Sequence, residues 1–456
     1  MKMLRCLAIL LLALPSPLFA AGMSNHALMA EYGRQYLPDA HPLRALLEAH
    51  RPALLAGAMY PDDGYATGAA FPGDREIAET AHWEYFVDPL IQHLHDDDCM
   101  AAEAGLTDVP FIGATPAVLA ESAAGLAPLA DIRQDDSCGA RVAFAFGIAA
   151  HGLGDEVWDA LFEPQVRARG EHLVSSPAFT LDSFPPGADP SIGSLLRQAI
   201  GDEPFETLSS AFEPLSLNSI EYATDVVSIR DHDLWVDVPV LVFPPFADLA
   251  VAYAGSGRDV AADRLAIERA ALATKALVSA ERLGAALEYD RVRAQMPFAS
   301  RNYLTGSGGV LHTGRMITGY WLHLWDKLQD GVVVARGPLV VGVHPDPGER
   351  GVPIQEGSPD RWVRVFLSSA PDRGLLSMDP GALVLFDGHG RIVPASLSEI
   401  PSLYEGESTH GIGLRISGAL QPGTEYTAVL TTRTRDVRGR ALLEPYVWTF
   451  RTAGAQ

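Results

Sequence analysis

The stretch Phe144-Ala-Phe-Gly-Ile-Ala-Ala-His151-Gly-Leu-Gly-Asp155-Glu-Val-Trp158-Asp159 governs the interpretation of the whole chain. Apolar and small residues fill most of its positions, which predicts a helix that is buried on nearly all sides. At helical spacing, His151 and Asp155 lie one turn apart on one face, and Asp159 lies one turn further along. Buried imidazole and carboxylate groups need partners. A metal ion suits neutral His with ionised Asp, and a plain His–Asp hydrogen bond in a core helix is the other interpretation.

The length and charge of the chain limit the classes of protein to which it can belong. Its 456 residues suffice for two or three domains, and a hydrophobic content of 48% is enough for well-formed cores. The formal net charge of −23 argues against a nucleic-acid binder that depends on a basic surface. We therefore expect no nucleic-acid partner.

The N-terminus predicts an exported protein. Residues 1–20 combine a basic start, a short apolar run and a small-residue end, the pattern of a secretory signal peptide. Cleavage would leave Ala21 as the first residue of a periplasmic or secreted chain. Cys99 and Cys138 would then be the remaining cysteines. We expect them to pair as a disulfide in an oxidising compartment, with two unpaired buried thiols as the alternative.

The residue pattern changes along the chain from helical to strand-like, which predicts a multidomain protein. Residues 21–330 read as a mainly α-helical domain, residues 331–336 as a linker, and residues 337–454 as an all-β sandwich. The periodicity predicts helices over residues 26–36, 42–58, 77–95, 140–162, 191–200, 205–211, 215–229, 245–253, 258–293 and 310–329. Gly- and Pro-rich sequence predicts irregular loops over 60–74 and 175–190. Strands are expected at 339–343, 363–367, 383–386, 413–416, 426–430 and 447–450.

The sandwich part carries a resemblance to a known kind of domain. The segments Leu420-Gln-Pro-Gly-Thr-Glu-Tyr426-Thr, Asp436-Val-Arg-Gly439 and Trp448-Thr-Phe-Arg-Thr452 resemble bacterial immunoglobulin-like (Ig-like) domains of the surface-layer type. Such modules serve mostly as spacers or binding platforms, so this resemblance implies little about activity.

Further candidate metal ligands are dispersed over the helical part. Asp62 in a Pro-Asp pair is ordinarily a turn residue, and His82 beside a tryptophan is ordinarily a packed core histidine. Glu221 and Asp225, four residues apart, would normally form a solvated helix face. Together with His26 and the central helix, however, they form a dispersed His/Asp set on helices, the arrangement from which helical bundles build polynuclear sites.

These residues also carry a resemblance to a family of enzymes. Met23-Ser-Asn-His26, Tyr60-Pro-Asp62, Ala81-His82-Trp83, the helix at 146–158 and Glu221-Tyr-Ala-Thr-Asp225 resemble the zinc-dependent phospholipase C superfamily, most closely the catalytic domain of glycosylphosphatidylinositol-specific phospholipase D. The resemblance implies that Asp62, His82, His151 and Asp155 bind a first Zn²⁺. It also implies that His26 binds a second Zn²⁺, which Asp155 bridges to the first.

The resemblance implies a third metal site with a departure from the family pattern. Relatives usually have His at the positions of Asp159 and Glu221, and only the acidic Asp225 matches. A site of carboxylates alone suits Ca²⁺, Mg²⁺ or Mn²⁺ better than Zn²⁺. We therefore expect two or three ions, with the third site holding Ca²⁺ or Mg²⁺ or remaining empty.

The activity implied by the resemblance is hydrolysis of a phosphodiester by metal-activated water, with Asp62 and Asp155 as catalytic residues. The expected substrate is a phospholipid or a lipid anchor, reached through peripheral membrane contact. Two alternatives stay open: a metal-dependent nuclease of the related family, and a non-catalytic metal-binding surface protein. The sequence leaves open the bond that is cleaved (type C or type D), the lipid, the ligand of the Ig-like domain and the oligomeric state.

Overall fold

Two hydrophobic cores organise the structure, one among the helices and one inside a β-sandwich. The structure is a computed structural model that describes residues 22–67, 71, 73–100, 109–110, 132–171, 202, 220–235, 240–260, 262–333, 335–353, 362–372, 374, 381–399 and 409–454. The predicted signal peptide, the predicted loop at 175–190 and the predicted helices at 191–200 and 205–211 lie outside these residues.

The described helices largely follow the predicted periodicity. They are α1 Met23–Tyr36, α2 Pro42–Ala49, α3 Arg51–Thr67, α4 Gly73–Ala81, α5 Glu84–Asp96, α6 Cys138–Val157, α7 Glu163–Ala168, α8 Ile220–Asp231, α9 Phe246–Gly255, α10 Arg264–Gln295, α11 Ala299–Asn302 and α12 Val310–Asp330. The helices predicted at 26–36, 245–253 and 310–329 are confirmed to within a few residues at each end.

Two boundary predictions around the candidate ligands are wrong. The loop predicted from residue 60 onward is helical as far as Thr67, so Asp62 lies on α3 although Pro61 stands inside that helix. Burial on all sides holds this segment in helical form, and tertiary packing outweighs the local cost of proline. Conversely, the helix predicted over 77–95 is interrupted at His82 and Trp83, between α4 and α5.

Helices α3 and α6 pack against each other at very short range because glycines face the partner backbone. A Cβ added at Gly57 would lie 2.1 Å from the Phe144 carbonyl oxygen, and one added at Gly147 would lie 2.3 Å from the Leu54 carbonyl oxygen. No larger residue fits at either position without separating the helices. This contact sets the distance between Asp62 on α3 and the ligands on α6.

Helix α6 does not continue as a regular α-helix to residue 162, as the sequence predicts. It passes into a π-helical turn over Trp158–Phe162 before α7 begins at Glu163. A π turn accommodates an extra residue, so Asp159 leaves the face that His151 and Asp155 share in a regular helix.

The strands form one small sheet and a two-sheet sandwich. The strands are β1 Val109–Pro110, β2 Ile132–Gln134, β3 Leu241–Phe243, β4 Val340–His344, β5 Arg350–Val352, β6 Trp362–Leu367, β7 Leu383–Phe386, β8 Ala395–Glu399, β9 Gly411–Ile416, β10 Glu425–Leu430 and β11 Tyr446–Thr452. The sheet β1-β2-β3 belongs to the helical part, and the sandwich sheets have the orders β4-β6-β9-β8 and β5-β11-β10-β7. The predicted sandwich is confirmed, while the sheet β1-β2-β3, β5 and β8 were not predicted.

The segment predicted as a linker is packed against the sandwich. Val332 and Ala335 are buried, and their carbonyl oxygens accept hydrogen bonds from Arg440 Nη1 at 3.1 and 2.9 Å. Phe366 of β6 belongs to the helical core. The helical part and the sandwich therefore meet through a continuous buried contact.

Candidate metal centre

Four separate elements bring five of the predicted ligands together. His26 lies on α1, Asp62 on α3, and His82 in the break between α4 and α5, while α6 carries both His151 and Asp155. All five are buried, with His82 the most accessible at 7% exposure. Their chemistry is therefore separated from bulk solvent by the helical core.

The first group consists of one oxygen from each of two carboxylates and two imidazole nitrogens. The Nε2 atoms of His82 and His151 lie 3.2 Å apart, and each lies 3.3 Å from Asp155 Oδ2. Asp62 Oδ1 lies 3.5 Å from His82 Nε2 and 3.6 Å from His151 Nε2. Tetrahedral zinc with bonds of about 2.0–2.1 Å places its ligand atoms about 3.3–3.4 Å apart. These five separations are close to that value, and Asp62, His82 and His151 together have the spacing of a metal site.

Backbone carbonyls fix the orientation of both imidazole rings in this group. His151 Nδ1 lies 2.7 Å from the Ala58 carbonyl oxygen, and His82 Nδ1 lies 2.8 Å from the Ala78 carbonyl oxygen. A carbonyl can only accept, so each Nδ1 must be protonated and donate. Each Nε2 then carries the lone pair when the ring is neutral, the arrangement that metal-binding histidines usually adopt.

The second group lies on the other side of Asp155. His26 Nε2 lies 2.9 Å from Asp155 Oδ1, the oxygen that does not face the first group. The ring of His26 stacks on that of His151 with the centroids 3.6 Å apart. The two oxygens of Asp155 thus point toward two different sets of nitrogens, the geometry of a bridging carboxylate, and the group His26, His151 and Asp155 also meets the spacing of a metal site.

Several buried polar atoms in the centre have no hydrogen-bond partner among the described residues. They include both carboxylate oxygens of Asp62 and the Nδ1 atom of His26. Bare buried acceptors cost roughly 1–3 kcal/mol each, so such a group persists when another partner satisfies it. Two carboxylates and three imidazoles are ligands that suit Zn²⁺.

In the metal-free centre, the buried histidines and aspartates shift one another's pKa values. Burial alone would lower the pKa of His151, but the charges of Asp155 and Asp62 raise that pKa to about 9. Burial likewise opposes ionisation of Asp155, yet His151 and His26 hold its pKa well below the usual range. The pKa of His26 is lowered, chiefly by burial and by the charge of His151. In the absence of a cation, protons therefore occupy positions that a metal ion would take.

The structure does not gather the residues of the predicted third site. Among the described residues, Asp159, Glu221 and Asp225 belong to neither of the His/Asp groups with metal-like spacing. Asp225 instead stands at the start of α1, where its Oδ1 accepts a hydrogen bond from the Asn25 backbone N–H at 2.8 Å. Its carboxyl has the role of a hydrogen-bonding cap at a helix N-terminus. A third ion stays a prediction without geometric support.

The sequence interpretation missed residues that border the centre. The ring of Tyr65 lies 5.5 Å from that of His82, and its hydroxyl donates to Glu79, which also accepts from Trp83 Nε1. Tyr65 and Glu79 are partly exposed, whereas the five ligands are buried. Helical spacing over 60–67 places Tyr65 one turn after Asp62, so recognising α3 as a helix would have revealed it.

Gly152 also went unrecognised. A Cβ at this position would lie 2.0 Å from the His82 carbonyl oxygen, so α6 can approach the loop that carries His82 only with glycine there.

Cys99, which follows α5, and Cys138, which begins α6, form a disulfide with a Cα–Cα distance of 4.9 Å. Of the two alternatives that the sequence left open, the structure has the bonded one. Disulfides of this kind persist in oxidising compartments, in agreement with the predicted export.

Comparisons with known proteins concern mainly the sandwich. Residues 335–452 match the family described as "Bacterial Ig-like domain", so this part of the chain is a bacterial Ig-like domain. That match agrees with an extracellular or cell-surface protein. A search of curated proteins gives no match. None of the described helices is long and apolar enough to cross a membrane.

Searches of solved structures return surface-layer proteins at low similarity. They include "Structure of surface layer protein SbsC, domains 1-6" at 12% identity, covering 69% of this chain and 34% of that one, with a TM-score of 0.19. A second is "Crystal structure of the N-terminal part of the bacterial S-layer protein SbsC", at 12% identity, with coverages of 68% and 57% and a TM-score of 0.18. This chain thus spans about a third to just over half of those chains, and scores this low carry no argument about function.

Proposed function

We propose that the helical part is a zinc-dependent phosphodiesterase and that its substrate is a phospholipid or the phosphodiester of a lipid anchor. The observation that carries the proposal is the convergence of Asp62, His82 and His151 with the spacing of a metal site, with Asp155 Oδ2 3.3 Å from both imidazoles and His26 at the far oxygen of Asp155. The resemblance to the zinc-dependent phospholipase C superfamily supports the substrate class.

The two groups would serve different purposes. Asp62, His82, His151 and Asp155 would supply four protein ligands, as many as a closed zinc site takes. His26 and Asp155 Oδ1 supply only two on the other side, so any open coordination position belongs to that second site. Bound zinc supplies Lewis-acid stabilisation of a phosphodiester and lowers the pKa of water toward neutrality.

The protein side chains would hold and align this centre. Asp155 fixes the separation of the two sites because one rigid carboxylate faces both. Asp62 has one oxygen directed at the first group, and its other oxygen has no hydrogen-bond partner among the described residues, so it can accept a proton from a nucleophile. Tyr65 and Glu79, partly exposed beside His82, are placed to contact the part of a substrate outside the buried ligands.

A second candidate function is a non-catalytic surface protein stabilised by zinc. The observation that favours it is the saturated and buried first group, because structural zinc sites are closed by four protein ligands. The Ig-like domain at 335–452 is also compatible with a surface role. The two candidates differ in the importance of His26, which a structural first site does not require.

The decisive experiment compares three single variants after zinc loading, with phosphatidylcholine, a glycosylphosphatidylinositol-anchored protein and single-stranded DNA as substrates. We expect the parent to hydrolyse a lipid substrate and lose this activity on chelation. His26→Ala should keep the fold and one zinc but lose at least about a hundredfold in rate. His151→Ala should lose the zinc of the first group together with activity, and His389→Ala, at an exposed histidine of the sandwich, should match the parent.

Other outcomes would select an alternative. A parent that binds zinc but cleaves none of the substrates, with His26→Ala equally stable, would favour the structural role. Cleavage of single-stranded DNA with intact lipids would identify the nuclease alternative and overturn the proposed substrate class.

A further inference from the structure

The Ig-like domain contacts the chain next to two of the candidate metal ligands, Asp155 and His82. Asp155 is followed in α6 by Glu156, and His82 is followed after Trp83 by Glu84, the first residue of α5. Both glutamates are buried. Each accepts a hydrogen bond from a backbone N–H of the sandwich, and each of these bonds is 2.6 Å long.

Glu156 is the nearer of the two glutamates to a candidate ligand, because it directly follows Asp155 in the chain. Its Oε1 accepts from the backbone N–H of His410, immediately before β9. The His410 ring in turn packs against Tyr320 of α12 with the centroids 4.8 Å apart. Glu156 follows Asp155 directly in α6. The sandwich therefore forms a hydrogen bond to α6 at the residue next to the proposed bridging ligand.

Glu84 makes the equivalent contact at the start of α5, just after the break that carries His82. Its Oε2 accepts from the backbone N–H of Ala370, and its Oε1 accepts from Lys327 Nζ at 2.6 Å. Lys327 is fully buried and also donates to Asp88 at 2.8 Å. The start of α5 is therefore fixed to the sandwich two residues after His82.

The same interface contains a contact that is remote from the ligands. Arg438 of the sandwich donates to Asp88 Oδ2 at 3.0 Å, one helical turn beyond Glu84. This pair contributes to docking but does not adjoin a ligand in sequence. It supplies a control that separates loss of docking from loss of ligand alignment.

We infer that the Ig-like domain is a working part of the metal centre, in which Glu156 and Glu84 are positioning residues that hold Asp155 and His82 through backbone amides of the sandwich. This rests on the metal centre proposed above. It assigns to the sandwich a role beyond that of a spacer or binding platform, because the hydrogen bonds reach the metal helix itself. Groups that hydrogen-bond a metal ligand directly change metal affinity about 10- to 100-fold when removed, and Glu156 and Glu84, which act through the backbone beside the ligands, should lie at the low end of that range.

Two substitutions at Glu156 separate position from charge. Glu156→Gln keeps the length of the side chain and an oxygen that accepts the His410 N–H. Glu156→Asp keeps the charge but withdraws the oxygens by one methylene. The full-length proteins would be stripped of metal, and their Zn²⁺ dissociation constants measured by competition with a chromophoric chelator, alongside their melting temperatures.

We expect Glu156→Asp to weaken Zn²⁺ binding at least about tenfold and Glu156→Gln to stay within about threefold of the parent. Arg438→Met should lower the melting temperature while leaving Zn²⁺ affinity unchanged. If Glu156→Asp does not fold, His410→Gly decides the matter from the sandwich side, because it loosens the donating loop and leaves every helical residue in place. It should weaken Zn²⁺ binding by several-fold.

The opposite pattern would overturn the inference. If Zn²⁺ affinity survives both Glu156→Asp and His410→Gly, or falls equally in Arg438→Met, the interface only docks two domains. A parent protein without affinity for Zn²⁺ would instead overturn the metal centre, and that result is distinguishable because it needs no variant.

Discussion

At the scale of single residues, the most informative feature is the fixed orientation of two imidazoles. His82 and His151 each use Nδ1 for a backbone carbonyl, so their Nε2 atoms face each other at 3.2 Å. In the neutral rings two lone pairs would repel at that distance. A proton or a metal ion must therefore lie among the Nε2 atoms and the two carboxylates, and the two compete.

This competition predicts a pH dependence with opposite signs for the metal-free and zinc-loaded proteins. The pKa of His151 is raised from 6.5 to about 9 in the folded metal-free state. The stability that this shift contributes is fully present below 6.5 and is lost as pH rises through about 9. Zn²⁺ needs the neutral ring, so its affinity should rise over the same window. Melting temperatures with and without zinc from pH 6 to 10 test this, and parallel curves would contradict it.

Gly152 gives a second prediction at this scale. Gly152→Ala places a Cβ 2.0 Å from the His82 carbonyl oxygen. The displaced loop should weaken Zn²⁺ binding at least about tenfold and cost about 1–3 kcal/mol in the free energy of unfolding. Gly73→Ala is the matched control, because an added Cβ there meets nothing within 4 Å. Equal behaviour of the two variants in zinc titration and urea unfolding would refute the proposed close approach.

At the scale of secondary-structure elements, the sequence predicted α6 well because its apolar positions and its His151–Asp155 spacing are local properties. It did not predict the helix around Asp62, because Pro61 and the nearby glycines indicate a loop in isolation. Contact of Gly57 with the backbone of α6 stabilises the helix there, and that contact joins residues far apart in the chain. The π turn at Trp158–Phe162 likewise has no local signature.

The predicted third site shows the same limit. Asp225 and Asn25 are 200 residues apart, and only the folded chain shows that this carboxylate caps α1. A pattern of acids at helical spacing cannot distinguish a ligand from a helix cap. His26, Asp62, His82, His151 and Asp155 were predicted as a group because five residue types matched a family arrangement at once.

At this scale we predict that the disulfide, which joins the segment after α5 to the start of α6, stabilises the folded protein. Bonding Cys99 to Cys138 closes a loop with a sequence separation of 39 residues. In the chain-entropy account, this contributes about 3–4 kcal/mol to the free energy of unfolding. Cys99→Ser with Cys138→Ser should lose that amount in urea unfolding. Two free thiols in the denatured, unreduced parent would contradict the bond.

At the scale of the whole molecule, the residue pattern predicted two structural parts but not the buried interface between them. The change from helical to strand-like periodicity is visible in the sequence, whereas the buried ionic cluster beside the sandwich is not. Lys327 pairs with Glu84 and Asp88 inside the helical part, and these two acids accept hydrogen bonds from the Ala370 backbone N–H and from Arg438 of the sandwich. Such groups are recognisable only once burial is known, because charged residues normally indicate a surface.

At this scale we predict that replacing Lys327 lowers the free energy of unfolding. Burial alone would raise the pKa of Glu84, but the charge of Lys327 is the main cause that holds it at about 2. Lys327→Met leaves buried carboxylates without their cation and should cost about 3–5 kcal/mol at neutral pH. The loss should shrink toward pH 5, where Glu84 of the variant can be protonated.

Arg264→Met is the control for this prediction, because its ion pair with Glu268 is about half exposed on the arginine side, at 52%, and is expected to contribute less than about 1 kcal/mol. Urea unfolding at the two pH values measures both variants. A cost for Lys327→Met no larger than that of the control would contradict the expected contribution of the buried ion pairs to stability.

The most direct test of the central claim is the zinc content and coordination of the stripped and reloaded protein, measured by elemental analysis and X-ray absorption at the zinc edge. We predict two Zn²⁺ per chain, with nitrogen and oxygen ligands at about 2.0–2.2 Å, imidazole scattering and no sulfur at about 2.3 Å. His151→Ala should lose the first site and His26→Ala only the second. A reloaded parent that retains no Zn²⁺ after dialysis, or binds it equally well without His151, would contradict the account.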